Sequence, residues 1–518
     1  QNPADYSDVV GAVAFTNRRF VHNTVSAAKA VETRWQSVLP EKRAERLYAY
    51  ADALELALPE FVALIVRETG KTLPAAVSEV RQTVDFCRYY ARQSETVCVA
   101  RDPLGTVVIL GSWDSPLAGV VGQAVAALAV GNIVIVKPAE QASLTAYQAF
   151  KLLHKTGIPC PAAQLLLGAG DVGHELVCDK RINAVLFTGK TETAKLINHT
   201  LAQRLDLPLL NTSTGGLSAL IADNSVLPEK LCADIIQAAF LNQGPMGNGL
   251  RIVCVPHEIA ETVIHRLQSL MDELVVGNPM IIATDVGAII DDTTYEQACI
   301  YIQKIATVAQ FCHQSKLPEN HNGLLIPPTL IELNSLEHIQ PDAPILHLYR
   351  YRSEDLGRMI DQINGKGYAL SFAIHSQIRD VADYAANRME TGSVFINSSI
   401  HAPVAGSRSF GGHGFSGTGA QIGGHFYAQS LCEGNWRIPH LNVDAIANEK
   451  SVQTIENLIA QCHFEHDARV RLAGQAAQVR LHTLRLAQAN LPACRGYLHK
   501  LTWRSPRHVW IYGGSLET

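Results

Sequence analysis

The chain has 518 residues, 47% of them hydrophobic and 18% charged, which is enough to bury more than one sizeable core. A formal charge of -5 and a pI near 6.5 leave no basic excess for a phosphate backbone or an anionic lipid surface, and nucleic acid is excluded as an expected partner. No apolar run reaches the ~20 residues of a membrane span, and the 11 Cys form no CxxC pair. A reducing, cytoplasmic setting is therefore expected, with no membrane partner and with Cys acting as small core hydrophobes. Beginning at Gln1, the sequence reads as a processed piece or part of a longer polypeptide.

Apolar residues recur at three- and four-residue spacing over 24–38, 40–58, 59–69 and 74–93, which predicts helices with Pro40, Pro59 and Pro74 at their starts. From Gly105 the rhythm changes. Short β-branched runs at 106–110 and 132–136, then apolar runs at 164–167 and 184–187, read as buried strands, with helices over 118–129 and 143–155 between them. That alternation predicts a doubly wound parallel sheet. A second alternating region, with strands at 251–255, 345–350, 371–375 and 393–396, predicts another α/β lobe. Residues 88–107 and 426–439 suit the strands of an oligomerisation hairpin, 448–489 is helical by pattern, and 500–504 and 507–514 are extended. The expected division is 1–214 for N-terminal helices and a Rossmann-like cofactor domain, 215–425 for a catalytic-type α/β domain, and 426–518 for an oligomerisation arm and tail.

Two loops can meet phosphate. Gly168-Ala169-Gly170-Asp171-Val172-Gly173 is a literal GxGxxG after a predicted strand, although no acidic residue ends a following strand, and its glycines equally suit a plain turn. In Phe187-Thr188-Gly189-Lys190-Thr191 a strand runs into a helix, so Lys190 either contacts phosphate or is simply solvated. Cys462-His463-Phe464-Glu465-His466 sets Cys462 and His466 on one helical face, but no further ligand set accompanies them and no metal site is expected.

The ordered set Ser112-Trp113-Asp114-Ser115-Pro116, Lys137-Pro138-Ala139-Glu140, Phe187-Thr188-Gly189, Thr214-Gly215-Gly216 and Phe410-Gly411-Gly412 through Ser416-Gly417-Thr418-Gly419 resembles the aldehyde dehydrogenase superfamily. The narrower likeness is to the glutamate-semialdehyde (1-pyrroline-5-carboxylate) dehydrogenase module of the proline-utilisation (PutA) proteins, supported by Asn2-Pro3-Ala4-Asp5, Arg67-Glu68-Thr69-Gly70-Lys71-Thr72 and Asp85-Phe86-Cys87-Arg88-Tyr89-Tyr90. It covers residues 1–430 or so. The resemblance implies an α/β aldehyde dehydrogenase fold with a Rossmann-like cofactor domain, a catalytic domain and a β-hairpin arm. It further implies attack by a cysteine, hydride transfer to NAD, and release of the acid by glutamate-activated water.

Against that scheme the chemistry-bearing positions depart. The family's Gly-Gln-Arg-Cys segment corresponds to Gly244-Pro245-Met246-Gly247, and Gly247 has no side chain to capture an aldehyde. Cys254, seven residues on, reads as an inert core sulfur. The general-base position is Ser213, whose hydroxyl is no base near neutral pH. The oxyanion-donor position is Asp114, whose carboxylate repels the charge that must be stabilised. The ribose-clamp glutamate aligns with Gln340, followed by Pro341 and Asp342; the substrate-anchoring loop contains Pro403, which has no N–H; and Asn248 replaces a serine. The resemblance places Trp113, Lys137, Glu140, Thr188, Gly189, Lys190 and Gln340 at the cofactor, with Lys137 and Glu140 on the adenosine ribose. The expectation is a catalytically defective homologue with NAD as its cofactor, working as a structural, assembly or regulatory homo-oligomer or in a hetero-assembly with a related protein. The alternative is an NAD-dependent oxidoreductase of proline or glutamate metabolism, or altered chemistry in the same cleft.

Overall fold

The computed structural model describes residues 1–96, 101–206, 208–241, 249–337, 339, 343–400 and 402–433, together with the backbone of two paired strands near the end of the chain. It divides into two compact units, Gln1–Gly434 and Asn435–Thr518. The first opens with helices α1 (Arg18–Gln36), α2 (Pro40–Leu56), α3 (Leu58–Thr69) and α4 (Leu73–Thr96). Next come β1 (Thr106–Leu110), α5 (Ala118–Ala129), β2 (Ile133–Lys137), α6 (Ser143–Lys155), β3 (Ala163–Leu165), α7 (Gly170–Cys178), β4 (Ala184–Gly189), α8 (Thr191–Ala202) and β5 (Leu209–Thr214). The chain continues through β6 (Ser218–Ala222), α9 (Pro228–Ala239), β7 (Leu250–Pro256), α10 (His257–Asp272), α11 (Asp292–Ala306), β8 (Phe311–Gln314), β9 (Thr329–Glu332) and β10 (Ile345–Tyr351). It then forms α12 (Leu356–Asn364), β11 (Tyr368–Ala369), β12 (Ser371–His375), α13 (Arg379–Arg388), β13 (Ser393–Ile396), β14 (His413–Gly414) and β15 (Gly417–Thr418). In the second unit β16 (Gln488–Leu491) pairs antiparallel with β17 (His499–Thr502).

Two sheets carry the larger unit. One has the order β15-β5-β4-β1-β2-β3, parallel apart from β15, and the other runs β13-β12-β6-β7-β10-β9-β8, parallel apart from the edge strand β8. β1, β6 and β7 are buried at every residue, as strands covered on both faces by helices must be. The α/β architecture expected from the sequence is thus the one observed.

Several boundaries differ. Helix α1 starts at Arg18, not at 24, because Asn17 caps it, its Oδ1 accepting the Phe20 N–H at 3.2 Å. Residues 18–20 are exposed, so the apolar spacing gives no sign of that first turn. Residues 88–96, expected in a hairpin strand, continue α4, with Phe86, Cys87, Tyr90, Ala91 and Ser94 buried at helical spacing. The segment expected as its partner forms a short 3-10 turn at Gln429–Leu431, and the pairing described there is a single bridge between Pro103 and Cys432. The expected boundary at 214/215 is crossed: β15 returns to β5, placing Gly417 opposite Ser213, while Tyr427, Ala428 and Leu431 join the core that holds α4 and α5. Strand β16 begins inside the stretch expected to be helical. The remaining expectations for 434–487 and 503–518, the Cys462 to His466 cluster among them, lie outside the described residues.

Helix α5 is buried over nearly its whole length, so its ends cannot be satisfied by bulk water. At its N-terminus Glu79 accepts the N–H groups of Leu117 and Ala118 at 2.8 and 3.2 Å, and the same carboxylate is paired with the Lys71 ammonium. Ser115 Oγ accepts the Gly119 N–H at 2.9 Å. At the C-terminus the buried Arg43 guanidinium donates to the Ala129 carbonyl at 2.9 Å. A carboxylate at the positive end and a cation at the negative end complement the helix dipole. Replacing the carboxylate, Glu79→Ala, leaves a buried ammonium and two orphaned donors. The expected loss in urea denaturation is about 3–5 kcal/mol, and a loss below about 1 kcal/mol shows the pair to be dispensable.

Candidate functional site

In the first sheet β1 and β4 are neighbours from which the chain departs in opposite directions, to β2 on one side and β5 on the other. The crevice outside their carboxyl ends is the topological switch point where open α/β sheets bind ligands. Lys137 ends β2, half-buried, and donates to its own Pro138 carbonyl at 2.8 Å. Burial holds its ammonium below the usual lysine range, against the opposing effect of Glu140 and Asp171. Glu140 is exposed a few residues on. Thr188 accepts from Gln123 of α5 at 2.8 Å, and Gly189 closes the strand. A Cβ at Gly189 would come within 2.6 Å of the Phe187 ring, so a side chain there requires the ring to move. Lys190 is the N-cap of α8 and offers no capping side chain, and among the described residues the N–H groups of Thr191, Glu192 and Thr193 have no acceptor. Helix α7 starts at Gly170, beside which a Cβ would meet nothing within 4 Å. Open glycine, an uncapped helix start and a Lys/Glu pair form a donor set that fits a dinucleotide such as NAD.

A cavity of about 610 Å³, which shares Gln123, Phe187 and Thr188 with this crevice, opens between α4 and the loops that follow β1, β5 and β13. Asp114, Ser213 and Pro403 all line it. Asp114 is half-buried and accepts from the Ser112 hydroxyl. Burial raises its pKa, outweighing that hydrogen bond and the Lys71 ammonium, which act downward, while Glu79 adds to the rise. The Ser213 hydroxyl is buried and has no hydrogen-bond partner among the described residues. No cysteine is among the described lining residues. Cys254 is fully buried in β7, its Sγ 3.5 Å from Met359 Sδ, and burial alone drives its thiol far above the ordinary range.

The loop containing Pro403 closes on itself. The Val404 N–H donates to the Arg408 carbonyl at 2.8 Å and the Gly406 N–H to Gly423 at 2.8 Å, so these donors are already used. Its Pro403 carbonyl accepts from Gln82 of α4 at 2.9 Å. The polar wall supplied by Ser78, Arg81, Gln82 and Asp85 was not singled out from sequence. The available signal was polar residues at three- and four-residue spacing within the otherwise buried α4. Trp113 borders a different crevice, with Gly70, Lys71, Phe240 and Ile289. Gly247, Asn248, Gln340, Pro341 and Asp342 lie outside the described residues.

A doubly wound nucleotide-type sheet joined to a second α/β sheet, with a cavity between α4 and the glycine-rich loop, defines a class of protein. The chain belongs to the aldehyde dehydrogenase family, whose model matches residues 1–436. It is 36% identical over 451 residues to the bifunctional protein PutA of Klebsiella aerogenes, covering 83% of this chain and 34% of that protein. It is 28% identical over 455 residues to 1-pyrroline-5-carboxylate dehydrogenase of Anoxybacillus flavithermus, covering 82% and 87% respectively. The solved 1-pyrroline-5-carboxylate dehydrogenase from Thermus with bound NAD superimposes with a TM-score of 0.78 at 26% identity, covering 83% of this chain and 88% of that one. The chain thus spans about a third of the length of its bifunctional relative.

The rise in the Asp114 pKa carries a sign. The folded chain holds that proton more tightly than the unfolded chain does, so the ionised carboxylate lowers stability once pH climbs past its ordinary value of 3.8. Below that value both states are protonated and the penalty is absent. Asp114→Asn is therefore expected to raise the urea midpoint at pH 7 and to lose that advantage as pH falls to the ordinary value; an unchanged midpoint at pH 7 refutes it.

Proposed function

We propose that the chain is a catalytically defective member of the family, of the glutamate-semialdehyde (1-pyrroline-5-carboxylate) dehydrogenase type, with a structural, assembly or regulatory role. One observation carries this reading: the cavity holding Asp114 and Ser213 has no thiol among its described walls, and the 242–248 stretch that corresponds to the family's nucleophile segment contains no Cys. Thioester chemistry needs a thiolate, a proton acceptor for water and a donor toward the developing oxyanion. Gly247, Ser213 and Asp114 supply none of them. The inward-bonded N–H groups of Val404 and Gly406 remove donors from the loop that would otherwise hold a substrate carboxylate.

The nucleotide cleft is retained in this reading. Lys137 and Glu140 would hold the adenosine ribose, and Thr188, Gly189 and the start of α8 the pyrophosphate. NAD, when bound, supplies a hydride acceptor; in this chain it serves as a regulatory ligand or a structural one. The acting form is a cytoplasmic homo-oligomer or a hetero-assembly with a related protein. Among the described residues no helix is long and apolar enough to cross a membrane. A second reading, altered non-covalent chemistry, is favoured by the open cavity itself, where the unpartnered Ser213 hydroxyl and the half-buried Asp114 both face a space large enough for a small molecule.

Purified protein supplied with NAD and glutamate semialdehyde, or with simple aldehydes, is expected to bind nucleotide and form no NADH. The triple variant Asp114→Asn, Ser213→Glu, Gly247→Cys should recover turnover. Gly247→Cys alone should remain at least about 100-fold slower than the triple variant, because removing a general base costs that much or more. Turnover by the unaltered chain at a rate of about 1 per second or more, within the ordinary enzyme range, refutes the proposal.

A further inference from the structure

Lys190 is exposed and caps α8, directly after β4, one of the two strands that border the crevice. Its ammonium makes no hydrogen bond or ion pair among the described residues. Nearby cations are committed elsewhere: Lys195 lies over the Phe415 ring at 4.5 Å, and Lys137 points back to Pro138. The acid whose charge it feels, Asp291, is already held by the Thr294 N–H at 2.9 Å and by Gln141 at 3.1 Å. An uncommitted cation is therefore carried by the residue that immediately precedes the free N–H groups of Thr191, Glu192 and Thr193.

Resting on the reading that the cleft retains a nucleotide, we propose that Lys190 directs it toward adenine nucleotides ending in a free phosphate, the ADP class, in preference to NAD. The reason is charge. In NAD each phosphate is esterified on both sides and carries one negative charge, and the nicotinamide ring adds a positive one. A terminal phosphate carries about -1.5 to -2 near pH 7 and presents three oxygens without a ring beyond them. A lysine is a compact point charge on a flexible stem, so its attraction grows with the charge it meets and needs no fixed geometry. Helix N–H groups alone serve both ligands alike. The added ammonium separates them.

Calorimetric titration of the unaltered chain with ADP and with NAD tests this. ADP is expected to bind about five- to tenfold more tightly at low salt, with the gap narrowing in about 0.5 M salt. Lys190→Ser should abolish most of that gap by weakening ADP binding more than NAD binding, and Lys190→Arg should keep it. NAD binding as tightly as ADP to the unaltered chain overturns the inference, as does an ADP to NAD ratio unmoved by Lys190→Ser. Tighter binding of both nucleotides to that variant also overturns it, since the lysine then obstructs the groove. If neither nucleotide binds, the retained cleft of the proposed function falls as well; NAD binding without ADP preference sinks the Lys190 inference alone.

Discussion

Helix α5 lies in the interior with almost no polar side chain of its own, and its exposed-end amides have to be answered by the protein. The answer is Glu79, a carboxylate from α4 held in place by Lys71. That one arrangement ties the N-terminal helices to the first sheet. It also sets the position of the loop from Ser112 to Pro116, because the loop's last residues run straight into the amides Glu79 accepts. Asp114 consequently sits between a buried ion pair and the cavity, and its protonation is governed by burial more than by any single neighbour. Fold and site share the same few polar groups.

The crevice beyond β1 and β4 and the cavity beside α4 meet at Thr188 but are lined differently. The crevice beyond β1 and β4 is made mostly of backbone: glycine, uncapped helix starts and the strand ends that hold them. Such a place survives side-chain change, since its donors are main-chain N–H groups fixed by the sheet. The cavity beside α4 depends instead on particular side chains, Asp114 and Ser213 among them. Cys254 illustrates the distinction between having a sulfur and having a nucleophile: it packs against Met359 in the middle of β7, where burial pushes its thiol well above the ordinary range.

The edge strand β15 of the first sheet brings a further wall to the cavity. Two residues, Gly417 and Thr418, pair with Ser213 and Thr212 and so bring the glycine-rich loop against the end of β5. Gly417 takes φ of 139°, and a Cβ there would meet the Thr212 carbonyl oxygen at 2.2 Å, so this closure needs glycine. The Phe415 carbonyl then receives the hydroxyls of Thr191 at 2.8 Å and Thr214 at 2.6 Å, joining that loop to α8.

Sequence alone determined the alternation of buried strands and helices, because parallel strands covered on both faces must be continuously apolar and their flanking helices must be amphipathic. The ordered motifs pointed to the family, and Asp114 and Ser213, which those motifs singled out, line the same cavity. Only the tertiary structure decided that residues 88–96 extend α4, because aromatic clusters fit helix and strand patterns alike until packing partners choose between them. Only it revealed the Lys71 and Glu79 cap, the polar face of α4 within the cavity and the self-bonded loop after Ala402, since each joins residues far apart in the chain and no local spacing encodes a contact of that range.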